Sequence, residues 1–193
     1  MSDLSLQLQQ ASGQLPVSSY FDEALYQREL QTLFKQGPSY VGHALSVPEV
    51  GDYFALPQEN EGRALVRTPQ GIQLISNVCR HRQAVMLKGR GNLNDPGKAM
   101  GGNVVCPLHR WTYSPEGLLL GAPHFQQDPC LNLQNYPLQE WNGMLFEANE
   151  HDVAADMALL GPRQQLDFTG YALDHVEMHM CNYNWKTFIE VYL

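Results

Sequence analysis

Hydrophobic residues recur along this chain with two periods. The first is helical: Phe21, Leu25, Leu30, Leu33 and Phe34 fall on one helical face. Ser19 is placed to cap that segment, with Asp22 three residues on in a capping-box-like position, and Gly37-Pro38 ends it. From residue 40 the pattern changes to short apolar runs between turn signals, which predicts strands near 40–46, 52–56, 63–68, 72–77, 104–105, 111–113 and 118–120. Two more are predicted near 135–140 and 144–148, joined by the hairpin signal Asn142-Gly143. Residues 88–102 are glycine-rich and polar and read as an exposed loop. Residues 152–160 predict a short helix closed by Gly161-Pro162. Residues 173–183 alternate, with Val176, Met178 and Met180 on one face and His175, Glu177 and His179 on the other, so a half-buried strand is expected there. Asn184 is placed to cap a final helix carrying Phe188, Val191 and Tyr192. Residues 1–17, rich in Gln and Ser, show no period and are expected to be loose.

The picture is a mainly β domain preceded by a helix. Composition narrows what it does. The 193 residues suffice for one good core, or for one domain plus part of another. A formal charge of −8 argues against a nucleic-acid partner, which needs clustered Lys and Arg. No apolar run approaches the roughly 20 residues of a membrane helix, and the N-terminus lacks the basic-then-apolar order of a signal peptide. A cytoplasmic protein with reduced thiols is expected, so the four cysteines read as ligands or small buried hydrophobes rather than disulfides. No Gly-x-Gly-x-x-Gly occurs, so no nicotinamide or flavin site is expected.

The candidate chemistry lies in two short Cys/His pairs, Cys79-Arg80-His81 and Cys106-Pro107-Leu108-His109. Neither pair suits one face of a helix; both suit a loop curled around a metal. Two cysteines and two histidines are the ligand set of a Rieske-type [2Fe–2S] centre, in which two histidines replace two cysteines on one iron. Structural zinc accepts the same four residues and is the rival reading. Zinc fingers usually keep like ligands together, whereas here each loop offers one of each. Arg80, Arg82, Lys88, Arg90 and Arg110 gather around the pairs, either as a solvated surface or as a rim that steers an acidic electron donor.

The flanking residues bring in a family. Asn77-Val78-Cys79-Arg80-His81-Arg82 followed by Cys106-Pro107-Leu108-His109-Arg110-Trp111-Thr112-Tyr113 resembles the Rieske domain of ring-hydroxylating oxygenase large subunits. The likeness extends to Gly51-Asp52-Tyr53-Phe54, Gly121-Ala122-Pro123, Trp141-Asn142-Gly143-Met144-Leu145-Phe146 and Asn184-Trp185-Lys186, and so covers about residues 20–193. It implies a Rieske-type antiparallel β-sandwich with two cluster-binding loops over 39–150, an N-terminal segment and helix over 1–38, and the start of an α+β catalytic domain over 151–193. It implies that Cys79, His81, Cys106 and His109 hold a [2Fe–2S] cluster. The cluster would take electrons from a reductase or ferredoxin and pass them to a mononuclear non-haem Fe(II) that activates O2, with ligands beyond Leu193. Family members commonly form homotrimers. The alternative is a stand-alone Rieske ferredoxin-like carrier, which would end soon after the hairpin near Ala148. The family commonly has glycine where this chain has Gln83 and Arg110.

Overall fold

The structure, a computed structural model, describes residues 15–96, 101–161 and 166–192. The chain divides into two compact units, one of Met1–Gly37 with His179–Leu193, the other of Pro38–Met178.

The larger unit is built on a five-stranded antiparallel sheet of order β5-β2-β3-β4-β9. Its strands are β2 (Asp52–Ala55), β3 (Arg63–Thr68), β4 (Gly71–Ser76), β5 (Arg90–Asn92) and β9 (Asn135–Tyr136). Side chains alternate across a strand, and both faces of this sheet are covered. Ala64, Val66 and Ile75 face one core together with Cys79, Val104, Cys106, Trp111 and Tyr113. Leu65, Leu74 and Phe54 face a second core with Val41 and Leu145. The first core is closed by a small sheet of β6 (Val104–Val105), β7 (Thr112–Tyr113) and β8 (Leu119–Gly121). The second is closed by β1 (Ser39–His43), β11 (Met144–Glu147) and β10 (Gln139–Trp141), in that order. The sheets therefore stack, as the sandwich expectation required. Leu65 is fully buried at the centre of the second core. Leu65→Ala is expected to cost about 2–5 kcal/mol, read as a lower urea midpoint at unchanged slope.

Arg63 ties the layers together at the edge. Its guanidinium makes a paired contact with Glu59 at 2.6 Å, reaches Glu147 on β11 at 2.7 Å, and lies 4.7 Å over the Tyr136 ring. The two carboxylates raise its already high pKa further, Glu59 contributing most.

Three expectations need correcting. The loop over 88–102 contains a strand: β5 pairs with β2, Gly91 opposite Tyr53. Its glycine is there for space, because a Cβ at Gly91 would sit 2.7 Å from the Tyr53 hydroxyl. Residues 173–183 form no strand; Val176, Met178 and Met180 are exposed, and none of these residues joins a ladder among the described residues. The first helix is capped by Asp22, not Ser19. Asp22 Oδ1 accepts from Leu25 N, while Ser19 lies inside a 3-10 turn over Val17–Tyr20 and bonds Pro16 O.

The smaller unit contains α1 (Glu23–Glu29), which runs into a π-helical turn over Leu30–Phe34, and α3 (Trp185–Glu190), capped by Asn184 as expected. The Glu29 carboxylate accepts from Lys186 Nζ at 2.7 Å and Trp185 Nε1 at 3.0 Å. The Trp185 ring also meets Phe34 edge-on at 5.3 Å. In the larger unit, α2 (Val153–Ala158) is capped by Asp152. The expected loose segment falls mostly on residues 1–14, and the expected stop at Gly161-Pro162 partly on Pro162, both outside the described residues. No described helix is long and apolar enough to cross a membrane.

Candidate metal centre

The four predicted residues lie at the tips of two loops that share one backbone plan. The first loop leaves β4 at Asn77. Cys79 N–H donates to Ala84 O at 2.9 Å, and Cys79 O accepts from Gln83 N at 2.9 Å. The second leaves β6. Cys106 N–H donates to Trp111 O at 2.8 Å, and Cys106 O accepts from Arg110 N at 3.1 Å. In each loop the cysteine carbonyl is bonded by the residue four further on, and in each that residue is left-handed, with φ of 56° at Gln83 and 61° at Arg110. These are the two positions at which the resemblance leads one to expect glycine. The backbone has kept the glycine conformation without the glycine.

That conformation strains a residue with a Cβ by about 1–2 kcal/mol. Glycine relieves it but loses more entropy on folding, by about 0.5–1 kcal/mol. Gln83→Gly and Arg110→Gly are therefore each expected to raise stability by up to about 1 kcal/mol. A drop in the denaturation midpoint would show instead that these exposed side chains make contacts worth more than the strain.

The base of the first loop is held by Asn77, which is fully buried. Its Nδ2 donates to Glu61 O and Leu87 O at 2.8 and 2.7 Å, and its Oδ1 accepts from Leu87 N at 2.8 Å. The loop is closed further by a bridge between Val78 and Val85.

The structure brings all four candidates together. Cys79 and Cys106 are 1% and 2% exposed and lie in the same core cluster. The His81 and His109 rings lie 4.7 Å apart at 73°. Both Nδ1 atoms are buried with no hydrogen-bond partner. A buried nitrogen left without a partner costs free energy unless something binds it, and an iron is such a partner. No three His, Cys, Asp or Glu side chains converge on a single ion position among the described residues; a binuclear group needs only a pair at each metal. Residues and group fit.

Electrostatics agree with that use. Burial, helped by His109 and Arg82, lowers the His81 imidazole below its ordinary value, which favours the neutral ring a metal requires. Burial pushes the Cys106 thiol up, as does Cys79 beside it, so a metal there must displace a proton. Tyr113 joins the two loops. Its hydroxyl oxygen accepts from Arg80 N at 3.1 Å, leaving its proton free for Cys79 Sγ, 3.6 Å away. Burial and that sulfur both raise the Tyr113 pKa, keeping it a donor.

Sequence reasoning gave no role to Trp111, Phe125 or Asn77. Trp111 stacks on His81 at 5.1 Å and 5°, and Phe125 stands edge-on to both, at 5.2 and 6.0 Å. Trp111 and Asn77 lie inside the quoted motif; Phe125 carries no sequence signal at all. Cys130 and Cys181, expected as small buried hydrophobes, are instead exposed.

The family model described as "Rieske [2Fe-2S] domain" matches residues 38–137. Putrescine 2-hydroxylase of Ralstonia nicotianae is 63% identical over 195 residues, covering 100% of this chain and 51% of that protein. The large oxygenase component of salicylate 5-hydroxylase from a Ralstonia species is 31% identical over 172 residues, covering 79% of this chain and 39% of that one. The crystal structure of a naphthalene 1,2-dioxygenase variant bound to phenanthrene superposes with a TM-score of 0.53 at 27% identity, over 72% of this chain and 32% of that one. The chain spans about half the length of the first of these relatives, or less of the others. The family model covers more than half of the chain, the two Cys/His loops lie within the matched residues, and the chain belongs to the Rieske [2Fe-2S] domain family.

Proposed function

We propose that this chain is the electron-entry portion of a Rieske oxygenase, with Cys79 and Cys106 on one iron and His81 and His109 on the other. The observation that carries this reading is the convergence of two like loops on two buried thiols and two unpartnered Nδ1 atoms. A bound [2Fe–2S] cluster supplies one-electron redox chemistry, at about −150 to +300 mV for the Rieske type. The chain's own residues do the rest. The thiols give up their protons on binding. The imidazoles stay neutral at Nδ1. The Tyr113 hydroxyl donates toward Cys79 Sγ, which stabilises added negative charge there and eases reduction.

The electron donor is a reductase or ferredoxin, and the exposed Arg80, Arg82, Lys88, Arg90 and Arg110 would steer an acidic one. The acceptor is a mononuclear non-haem iron on two histidines and a carboxylate, in a domain that residues 151–193 begin. The assembly is a homotrimer in which one subunit's cluster serves its neighbour's iron, and its setting is cytoplasmic. The 63% identity to putrescine 2-hydroxylase runs through residues 151–193, past the hairpin where a stand-alone carrier would stop. It also favours a small aliphatic diamine over an aromatic ring as the substrate of the whole enzyme.

Elemental analysis separates this from the zinc alternative. The purified chain is expected to be red-brown with about two irons and two labile sulfides; one zinc in a colourless protein would end the proposal. The chain extended to the full length of its relatives, given donor and O2, is expected to add one oxygen to putrescine, and the 193 residues alone to add none. Product from the short chain would place the catalytic iron among its residues and refute the division of labour.

A further inference from the structure

A histidine on a metal is usually oriented by a hydrogen bond to its other ring nitrogen. No hydrogen bond to the His81 ring occurs among the described residues, and its Nδ1 is buried without a partner. What it has is an aromatic wall. The Trp111 ring lies parallel to it, with 5° between the planes and 5.1 Å between the centres. Trp111 is 1% exposed and cannot swing away without opening the core. Behind it, Phe125 stands perpendicular, touching the Trp111 ring at 5.2 Å and the His81 ring at 6.0 Å. His81 sits on a loop tip whose own backbone bonds fix Cys79, Gln83 and Ala84 but leave the histidine side chain free to turn. Among the described residues His109 has no such wall; its one ring neighbour there is His81 itself. The two histidines are thus held by different means.

The choice of tryptophan is informative. Its indole N–H is buried without an acceptor, a cost phenylalanine would avoid. Three of the buried unpartnered atoms, Trp111 Nε1 and the two histidine Nδ1, belong to this one cluster of rings. A wide, flat ring reaches further over an imidazole face than a phenyl ring does, and the 5° angle sets the two rings in parallel, offset planes.

We propose that Trp111 is a positioning residue for His81. By stacking, it fixes the plane of the imidazole and with it the direction of Nδ1, and Phe125 braces Trp111 from the solvent side. The inference rests on the ligand reading above and adds an asymmetry to it: one histidine is clamped by an aromatic stack and its mate is not.

The test uses the 193-residue protein carrying its cluster, reduced, with nitrogen-15 in its histidines, and pulsed electron paramagnetic resonance to read the two Fe–N couplings separately. Trp111→Met removes the flat ring while filling much of its space. It is expected to retain two irons, to shift and broaden one of the two couplings and to leave the other unchanged. Trp111→Phe is expected to bring the broadened coupling most of the way back. Phe125→Leu alters a half-exposed position and spares the fold; it broadens the same coupling by a smaller amount. Couplings unchanged in Trp111→Met, or both shifted equally, overturn the proposal. If Trp111→Met does not fold, an unchanged spectrum in Phe125→Leu overturns it just as well. Wild-type protein without iron would instead sink the ligand reading, so the two failures are told apart by metal content alone.

Discussion

Cys106→Ser is expected to yield a folded but colourless protein. Cys106 is 2% exposed at the end of β6, and serine fits the same space. Its hydroxyl, however, stays protonated where a thiolate is needed, and oxygen is a harder and weaker ligand for an iron–sulfur group than sulfur. Loss of a mere outer partner of a metal site costs about 10–100-fold in affinity; loss of a ligand on a two-ligand iron costs more. Iron content should therefore fall by more than ~100-fold in affinity terms, while far-ultraviolet circular dichroism keeps its β signature. Cys130→Ser and Cys181→Ser provide the contrast. Both cysteines are exposed and outside the two loops, so both variants should stay coloured. Full iron in Cys106→Ser, or its loss in Cys130→Ser, would show that the ligand set is misassigned.

The largest expected loss of stability comes from a polar residue. Asn77→Leu removes three hydrogen bonds at once and leaves Leu87 N–H, Leu87 C=O and Glu61 C=O without their partner. Asn77 is fully buried, so water does not replace it. Each orphaned buried group costs about 1–3 kcal/mol, and some relaxation is inevitable; a total near 3–5 kcal/mol is expected. In a chain of this size that lowers the melting temperature by roughly 10 °C. Asn77→Asp should fare no better. It keeps the acceptor for Leu87 N–H but turns a carboxylate toward two carbonyl oxygens that had accepted hydrogens. Because Asn77 anchors the loop bearing Cys79 and His81, iron uptake should slow in both variants, whereas Leu65→Ala, in the other core, should leave uptake alone. Equal slowing in Leu65→Ala would show the effect to be general unfolding.

Much of the site was legible because its information is local. A ligand pair two residues apart cannot share a helix face and so points to a loop, and the strands on either side announce themselves by their apolar runs. Asn184 was legible as a cap for the same reason: a cap bonds its own neighbours. What failed was non-local. The strand Arg90–Asn92 is hidden by Gly91, whose role is to make room for a tyrosine on another strand. The alternation over 173–183 has the period of a strand, but a strand also needs an edge to pair with, and none is offered among the described residues. The aromatic wall on His81 depends on ring planes brought together from residues 81, 111 and 125, and no spacing rule encodes an interplanar angle. Ser19 lost the cap to Asp22 because Asp22 already accepts Leu25 N–H and leaves Ser19 to its own 3-10 turn.

The two ligand loops hang from different sheets, one from β4 of the central five strands and one from the β6–β7 turn of the small sheet. A cluster joining Cys79 to Cys106 is therefore also a cross-link, closing the intervening stretch of chain into a ring. By the relation used for disulfides, a ring of that length removes about 3–4 kcal/mol of disorder from the unfolded chain. Loss of the cluster would then stop electron flow and also lower the margin of stability of a chain that stays folded. The atoms proposed to conduct would thus also act as a rivet, so that redox state and stability are joined in one group.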